Sequence, residues 1–190
     1  MTEKPIRAFI AAEIDDGLRE RLAGIIARLH AADARVKWVR PENLHWTVKF
    51  LGEVSLLETG AIAEAAARVC ARHRPFEGRI TGVRAFPPGR RLRMVAAAMD
   101  EGGLMAALWD DLEPAMEEFG IAPDGRGFKA HLTMGRIKGS RNLEALQELL
   151  RPLETQELGE CFFEEVTLFQ SELGRSGPTY TALARIPLGS

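Results

Sequence analysis

The spacing of apolar and polar residues changes period several times along the chain, which predicts a mixed α+β fold. Residues 6–13 read as a strand. Leu18, Leu22, Ile25, Ile26 and Leu29 then recur at i, i+4, i+7, i+8 and i+11, one face of a helix that Asp15 or Asp16 would cap. Residues 36–39 and 44–51 read as strands on either side of the turn signal Arg40-Pro41-Glu42-Asn43. An alanine-rich helix is expected over about 56–72, followed by a hairpin whose strands, 76–86 and 92–99, flank Pro87-Pro88-Gly89. Leu104, Leu108, Leu112, Ala115 and Phe119 mark one face of a third helix, stopped by Gly120 and Pro123. Residues 128–136 read as a strand, Leu143, Leu146, Leu149 and Leu150 as a short fourth helix, and 165–173 and 179–188 as closing strands. No Ser-rich or Gly-rich linker divides the chain.

Two of these strands carry the same tetrapeptide pattern, His45-Trp46-Thr47-Val48 and His131-Leu132-Thr133-Met134. The copies lie 86 residues apart in a chain of 190, as expected if each belongs to one half of a duplicated unit. In the first, Leu44, Trp46, Val48 and Phe50 alternate with His45, Thr47 and Lys49, so the apolar set is expected to face the core and the histidine and threonine to share the other face. Residues i and i+2 on one face lie about 7 Å apart, so an imidazole and a hydroxyl can grip one tetrahedral phosphate. Two copies facing each other would surround one phosphorus with two imidazoles and two hydroxyls. A neutral histidine then takes a proton from the attacking oxygen while a protonated one supplies the leaving oxygen, and the ordinary imidazole pKa of about 6.5 suits both tasks. The hydroxyls donate to the nonbridging oxygens as charge builds there. A lone His-x-Thr carries little meaning; two in matching strands carry much more. His30 and His73 have no threonine two residues on and read as surface or helix-end residues.

Composition narrows the classes. A length of 190 residues with 46% apolar side chains supports a real core and excludes intrinsic disorder, and one domain is the default. The longest apolar runs, 94–99 and 104–109, fall far short of the roughly 20 residues of a bilayer span. Charged residues at the N-terminus, where a signal peptide would be apolar, point to the cytoplasm. Cys70 and Cys161 agree with a reducing compartment and are too few for a zinc knuckle. The balance of 25 basic and 27 acidic residues hides segregation. Arg72, Arg74, Arg79, Arg84, Arg90, Arg91 and Arg93 face only Glu77 over 72–93, and Arg126, Lys129, Arg136, Lys138 and Arg141 face only Asp124 over 120–141. Residues 142–172 hold eight glutamates against Arg151. One basic run reads as a solvated face; two can form a positive cleft for a polyanion. The string Gly125-Arg126-Gly127-Phe128-Lys129-Ala130 fits a dinucleotide-binding pattern, but a strand and not a helix follows it, so it is set aside. No His-Glu-x-x-His or Cys-x-x-Cys occurs, so neither a metal nor another cofactor is expected.

These residues carry a family resemblance over nearly the whole chain. The opening strand Arg7-Ala8-Phe9-Ile10-Ala11, the run from Trp38 to Gly52, Phe86-Pro87 ahead of an arginine cluster, the stretch from Phe128 to Arg136 and the ending Leu168-Phe169-Gln170-Ser171-Glu172-Leu173 resemble the bacterial and archaeal RNA 2′,3′-cyclic phosphodiesterases. Those enzymes, historically called 2′-5′ RNA ligases, belong to the 2H phosphoesterase superfamily. The resemblance implies a single bilobal domain over residues 1–190, an α+β fold of two pseudo-symmetric lobes, each an antiparallel sheet with outer helices, around a central cleft. It implies that His45 donates a proton, that His131 activates water, and that Thr47 and Thr133 hold the phosphate. The implied reaction opens a terminal 2′,3′-cyclic phosphate of RNA to a 2′-phosphate without metal, with ATP-independent, reversible 2′-5′ joining when a 5′-hydroxyl replaces water. Arg136 resembles a family arginine at the phosphate, with a surface salt bridge as the alternative, and a guanidinium can hold a phosphate through two hydrogen bonds. Phe9 and Phe128 either stack a base at the cleft or pack in the core. Ala130 stands where many relatives have proline, and 94–99 lacks an aromatic common on that strand.

The expected partners are RNA ends bearing a cyclic phosphate, tRNA fragments or small cyclic nucleotides among them, with no membrane, and the expected state is a monomer. Two alternatives stay open at the level of sequence. One keeps the chemistry on another substrate, such as ADP-ribose cyclic phosphate or 2′-5′ oligonucleotides. The other is a noncatalytic RNA-end binder, although binding alone is served by lysine and arginine and needs no histidine pair.

Overall fold

The computed structural model describes residues 4–89, 91–125, 127–175 and 177–189; Arg90 and Arg126 of the two basic runs lie outside the described residues. Nine strands and four α-helices are present among them: β1 (Ile6–Glu13), α1 (Asp16–Leu29), β2 (Val36–Trp38), β3 (His45–Val54), α2 (Thr59–Cys70), β4 (Phe76–Phe86), β5 (Met94–Asp100), α3 (Leu104–Glu117), β6 (His131–Ile137), α4 (Leu143–Leu150), β7 (Gly159–Phe163), β8 (Glu165–Gly174) and β9 (Gly177–Pro187). They build two antiparallel sheets, one ordered β3-β1-β8-β9 and the other β2-β6-β5-β4-β7. The fold is α+β, with one motif strand in each sheet. Each sheet draws strands from both ends of the chain, since β2 joins the second sheet and β8 and β9 join the first. None of the described helices is long and apolar enough to cross a membrane.

Helix α1 follows its sequence pattern. Leu18, Leu22, Ile25, Ile26 and Leu29 are all buried, and the Asp15 carboxylate caps the helix by accepting from the Leu18 N–H at 2.8 Å. Each such side chain contributes about 1.5–3 kcal/mol relative to exposure. Helix α3 departs from its pattern. Its buried stripe is Met105, Leu108, Leu112 and Met116, while Leu104 is 48% exposed and Phe119 lies beyond the helix end. Leu108 and Leu112 belong to both stripes, and at the two ends Met105 and Met116 take the buried places expected of Leu104 and Ala115. In α4, Leu146 and Leu150 are buried and Leu149 faces out. The pattern analysis has no counterpart of β7, a five-residue strand that pairs only with β4 and lies at the edge of its sheet.

The alternation expected over 44–51 holds only as far as Val48. Leu44, Trp46 and Val48 are buried as expected, but Lys49 is buried too and Phe50 is 62% exposed. The cause is a β-bulge. Strand β1 pairs Ala11 with Thr47 and Ile10 with Lys49, leaving Val48 as the extra residue, and Phe50 emerges on the face shared by His45 and Thr47. Strand β6 repeats the device. Strand β5 pairs Ala96 with Thr133 and Val95 with Gly135, leaving Met134 extra and returning Arg136 to the face of His131 and Thr133. The last residue of each tetrapeptide is thus the bulged one. At the second bulge, Gly135 backs onto β2, where a Cβ would come within 2.7 Å of both Trp38 and Val36.

Candidate active site

Just ahead of His45 the chain passes from the second sheet to the first. Strand β2 runs antiparallel to β6, and the Val39 N–H donates to the Met134 carbonyl at 2.8 Å. A short 3-10 turn, Pro41–Asn43, then reverses the chain into β3. The Asn43 and Arg40 side chains donate to the Pro178 carbonyl of β9 at 2.8 and 2.9 Å, so this connection is tied to the first sheet. Strands β3 and β6 come to lie against each other.

Both histidines are seated by the same contact. The Nδ1–H of His45 donates to the Asn43 carbonyl at 2.8 Å, and that of His131 donates to the Lys129 carbonyl at 2.8 Å, in each case two residues upstream. A carbonyl can only accept, so this contact holds the proton of the neutral ring on Nδ1 and leaves the Nε2 lone pair for chemistry. His45 Nε2 lies 3.0 Å from the Thr47 hydroxyl, which donates to it while the ring is neutral. Among the described residues Thr133 has no such tie; its hydroxyl makes a long contact, 3.9 Å, to the Met94 sulfur.

The surroundings differ between the two halves. Around His45 the first sheet supplies aromatic rings. The Phe9 ring centroid is 4.9 Å from the imidazole, and Tyr180 meets it edge-on at 5.3 Å. Phe9 also stacks on Phe169 at 5.3 Å and lies 6.3 Å from the exposed Phe50. Burial among these groups lowers the pKa of His45 below its ordinary value, against the opposing pull of the Asn43 carbonyl and the Glu13 carboxylate. Glu13 is the cross-strand neighbour of His45 and is itself held by Arg185 at 2.6 Å and by the Thr167 hydroxyl at 3.2 Å. Burial raises the Tyr180 phenol, while the charges of Arg136 and Arg7 act in the opposite direction. Arg136 belongs to the second sheet and Tyr180 to the first, so the two motif faces share one field.

The second sheet presents an ordered face around His131. Residues directly opposite one another across its strands share a face, which gives the rows Gly82-Ala98-His131 and Arg84-Ala96-Thr133 and, next to them, Phe86-Met94-Arg136-Lys37. Arg136 and Lys37 are exposed, and among the described residues neither has a carboxylate within salt-bridge distance. Phe128 sits in the segment leading to β6 and stacks on Trp109 of α3 at 6.0 Å, not on the rings around His45. Phe9 is buried, at 4% exposure, beneath His45 and Tyr180.

Elsewhere the molecule offers little competing chemistry. Among the described residues no three His, Cys, Asp or Glu side chains converge as metal ligands. Cys70 and Cys161 are buried, and burial pushes both thiols up to about 11, which leaves them protonated and unreactive. Two shallow depressions of about 290 and 340 Å³, one between α2 and α3 and one beside Glu77 and Glu160, contain no motif residue. Sequence reasoning did not single out Asn43, Lys129, Glu13 or Tyr180 at the site. Two of them act through backbone carbonyls, which leave no mark on residue type; Tyr180, the chain's only tyrosine, offered the one compositional signal.

Comparison with known proteins agrees with this architecture. The family described as LigT-like phosphoesterase matches residues 13–95 and 99–180, two segments that contain one motif each. An RNA 2′,3′-cyclic phosphodiesterase of Methanothermobacter thermautotrophicus is 38% identical over 176 residues, covering 93% of this chain and 95% of that protein. One of Aeropyrum pernix with the same name is 35% identical, covering 89% and 98%. Among solved structures, a Thermus thermophilus protein superposes with a TM-score of 0.81 at 26% identity, covering 97% of this chain and all (100%) of that one. Escherichia coli LigT complexed with 3′-AMP shares the fold with a TM-score of 0.78 at 24% identity, covering 98% and 99%.

Proposed function

The chain belongs to the LigT-like phosphoesterase family, and we propose that it hydrolyses the terminal 2′,3′-cyclic phosphodiester of RNA to a 2′-phosphomonoester. The observation that carries this reading is the matched seating of the two imidazoles, each with Nδ1 tied to the carbonyl two residues upstream, so that Nε2 keeps its lone pair, and with a threonine next on the same face, whose hydroxyl in the first motif donates to Nε2. The substrate class is that of the named relatives.

Water attacks phosphorus as His131 Nε2 takes its proton. The P–O3′ bond breaks, and His45, protonated on Nε2, gives its proton to the departing 3′ oxygen. The products are a 2′-phosphate and a 3′-hydroxyl, and the two histidines have exchanged protonation states. Thr47, Thr133 and Arg136 donate to the nonbridging oxygens, where charge grows in the transition state. The scheme uses no metal. Burial holds the His45 imidazole below its ordinary pKa against the pull of the Asn43 carbonyl and Glu13; the negative charge of a bound phosphate adds to that pull and favours the cation that the donor role needs. The exposed Phe50, with Tyr180 beside His45, offers a face for the terminal base. Replacing water by a 5′-hydroxyl gives the joining reaction: P–O5′ forms as P–O3′ breaks, leaving a 2′-5′ linkage without ATP. Residues 1–190 act as one bilobal unit, a monomer working on RNA ends such as tRNA fragments in the cytoplasm.

The test is incubation of purified protein, in excess EDTA, with RNA bearing a 2′,3′-cyclic phosphate. Release of a 2′-phosphate that persists in EDTA and is lost in both His45→Ala and His131→Ala is the expected result. Activity that appears only with added metal refutes the scheme, and binding without turnover leaves an RNA-end binder.

A further inference from the structure

On the face of the second sheet that carries His131 and Thr133, one cation is built in rather than displayed at the rim. Arg84 lies directly across β5 from Thr133, with Ala96 between them, so about 10 Å, two strand spacings, separate the two backbones. Its guanidinium lies against the Phe86 ring, 6.0 Å from the centroid. Its Nε is buried and donates to nothing, and among the described residues no carboxylate pairs with it. A buried N–H of a permanently charged group is costly to leave without an acceptor, and native structures seldom do so without reason. The residue between them, Ala96, ends at Cβ, so no long side chain stands between Thr133 and Arg84 in that row.

We infer that Arg84 is a second phosphate subsite, which holds the phosphodiester on the 5′ side of the terminal nucleotide while the cyclic phosphate reacts between His45 and His131. This rests on the reading of the site as one for RNA ends. The polarity of the cleft sets the direction: the first sheet lines its side with the exposed Phe50 and the half-buried Tyr180, which suit a base, and the second offers Arg84 and Arg136, which suit the backbone. The fork of a guanidinium matches two oxygens of a phosphodiester, and the Phe86 ring lies 6.0 Å from it on the same strand. The substrate class is therefore an oligonucleotide of at least two residues in preference to a nucleoside 2′,3′-cyclic phosphate.

The experiment uses two dinucleotides ending in a 2′,3′-cyclic phosphate, one with an ordinary linking phosphodiester and one with a neutral methylphosphonate in its place. Wild type is expected to lose about tenfold to a hundredfold in kcat/KM when the linkage is neutralised, the range for one charge-assisted contact. Arg84→Ala is expected to be indifferent to the linkage, and Arg84→Lys to retain part of the discrimination. Thermal unfolding of each variant establishes that it is folded. Wild type indifferent to the linkage, or Arg84→Ala as sensitive as wild type, overturns the inference. If wild type cleaves neither substrate, the proposed function fails. The same linkage pair, made as noncyclic 3′-phosphates, then tests Arg84 through Kd: the tenfold or greater difference must appear in wild type and vanish in Arg84→Ala, and its absence refutes the subsite.

Discussion

The bulge after Thr47 turns Lys49 inward, and the stability of the site's framework should depend on what it meets there. Lys49 is 3% exposed and Glu113 of α3 is 8% exposed, with Nζ 2.6 Å from a carboxylate oxygen. Lys49 also donates to the Ala122 carbonyl at 3.1 Å, and the other Glu113 oxygen accepts from the Asp124 N–H at 2.8 Å. One buried pair therefore joins β3, α3 and the segment that leads to His131. Lys49→Met removes the positive partner and leaves the carboxylate buried with one backbone N–H, which costs about 3–5 kcal/mol. With an m-value of about 2 kcal/mol/M, the urea midpoint should fall by about 1.5–2.5 M. Glu113→Gln should cost less, because its amide oxygen still accepts from the chain. The double variant Lys49→Met/Glu113→Leu should be far more stable than the sum of the single costs predicts, since no lone charge remains. A Lys49→Met cost below about 1 kcal/mol, or single costs that add within about 0.5 kcal/mol, would refute the reasoning.

Three further outcomes are expected. If His45 is the acid, kcat/KM, which reports the free enzyme, should fall with rising pH through a value below the ordinary 6.5, while the corresponding limb of kcat lies at higher pH because bound phosphate raises the imidazole pKa; coincident limbs would contradict the assignment. Thr47→Ala and Thr133→Ala should each slow turnover about 10- to 1000-fold with melting temperatures close to wild type, as measured by steady-state kinetics and calorimetry. Gly135→Ala should destabilise by roughly 1–3 kcal/mol in urea titration, because the new methyl meets Trp38 and Val36 at 2.7 Å; a neutral effect would mean that β2 yields easily.

Much of the architecture was legible because local pattern and tertiary burial agree where elements are long and one-sided. Helix α1 illustrates this: a five-residue apolar stripe with an aspartate cap can be buried in only one way. The motifs were legible for a chemical reason, since an imidazole and a hydroxyl two residues apart on a strand must share a face, and their recurrence in a second strand is visible without coordinates. Where the expectations failed, a local rule met a nonlocal cause. Strict alternation put Lys49 outward and Phe50 inward, and the bulge opposite β1 reversed both. At the ends of α3, packing against neighbours and not the helix's own periodicity chose Met105 over Leu104 and Met116 over Ala115.

What the residues determined by themselves is the chemical inventory: two His-x-Thr pairs, basic segments set apart from an acidic one, and amphipathic elements enough for an α+β fold. Only the tertiary structure decided that the pairs lie on different sheets, and that each imidazole is turned by a carbonyl two residues upstream. It also decided that bulges bring Phe50 and Arg136 back to the motif face, and that aromatic rings gather around His45 while Arg84 and Arg136 share the face of His131. The physical reason is that backbone carbonyls and strand register carry no residue-specific signature, so the two halves of a nearly repeated sequence acquire their different surroundings only from the strands placed beside them.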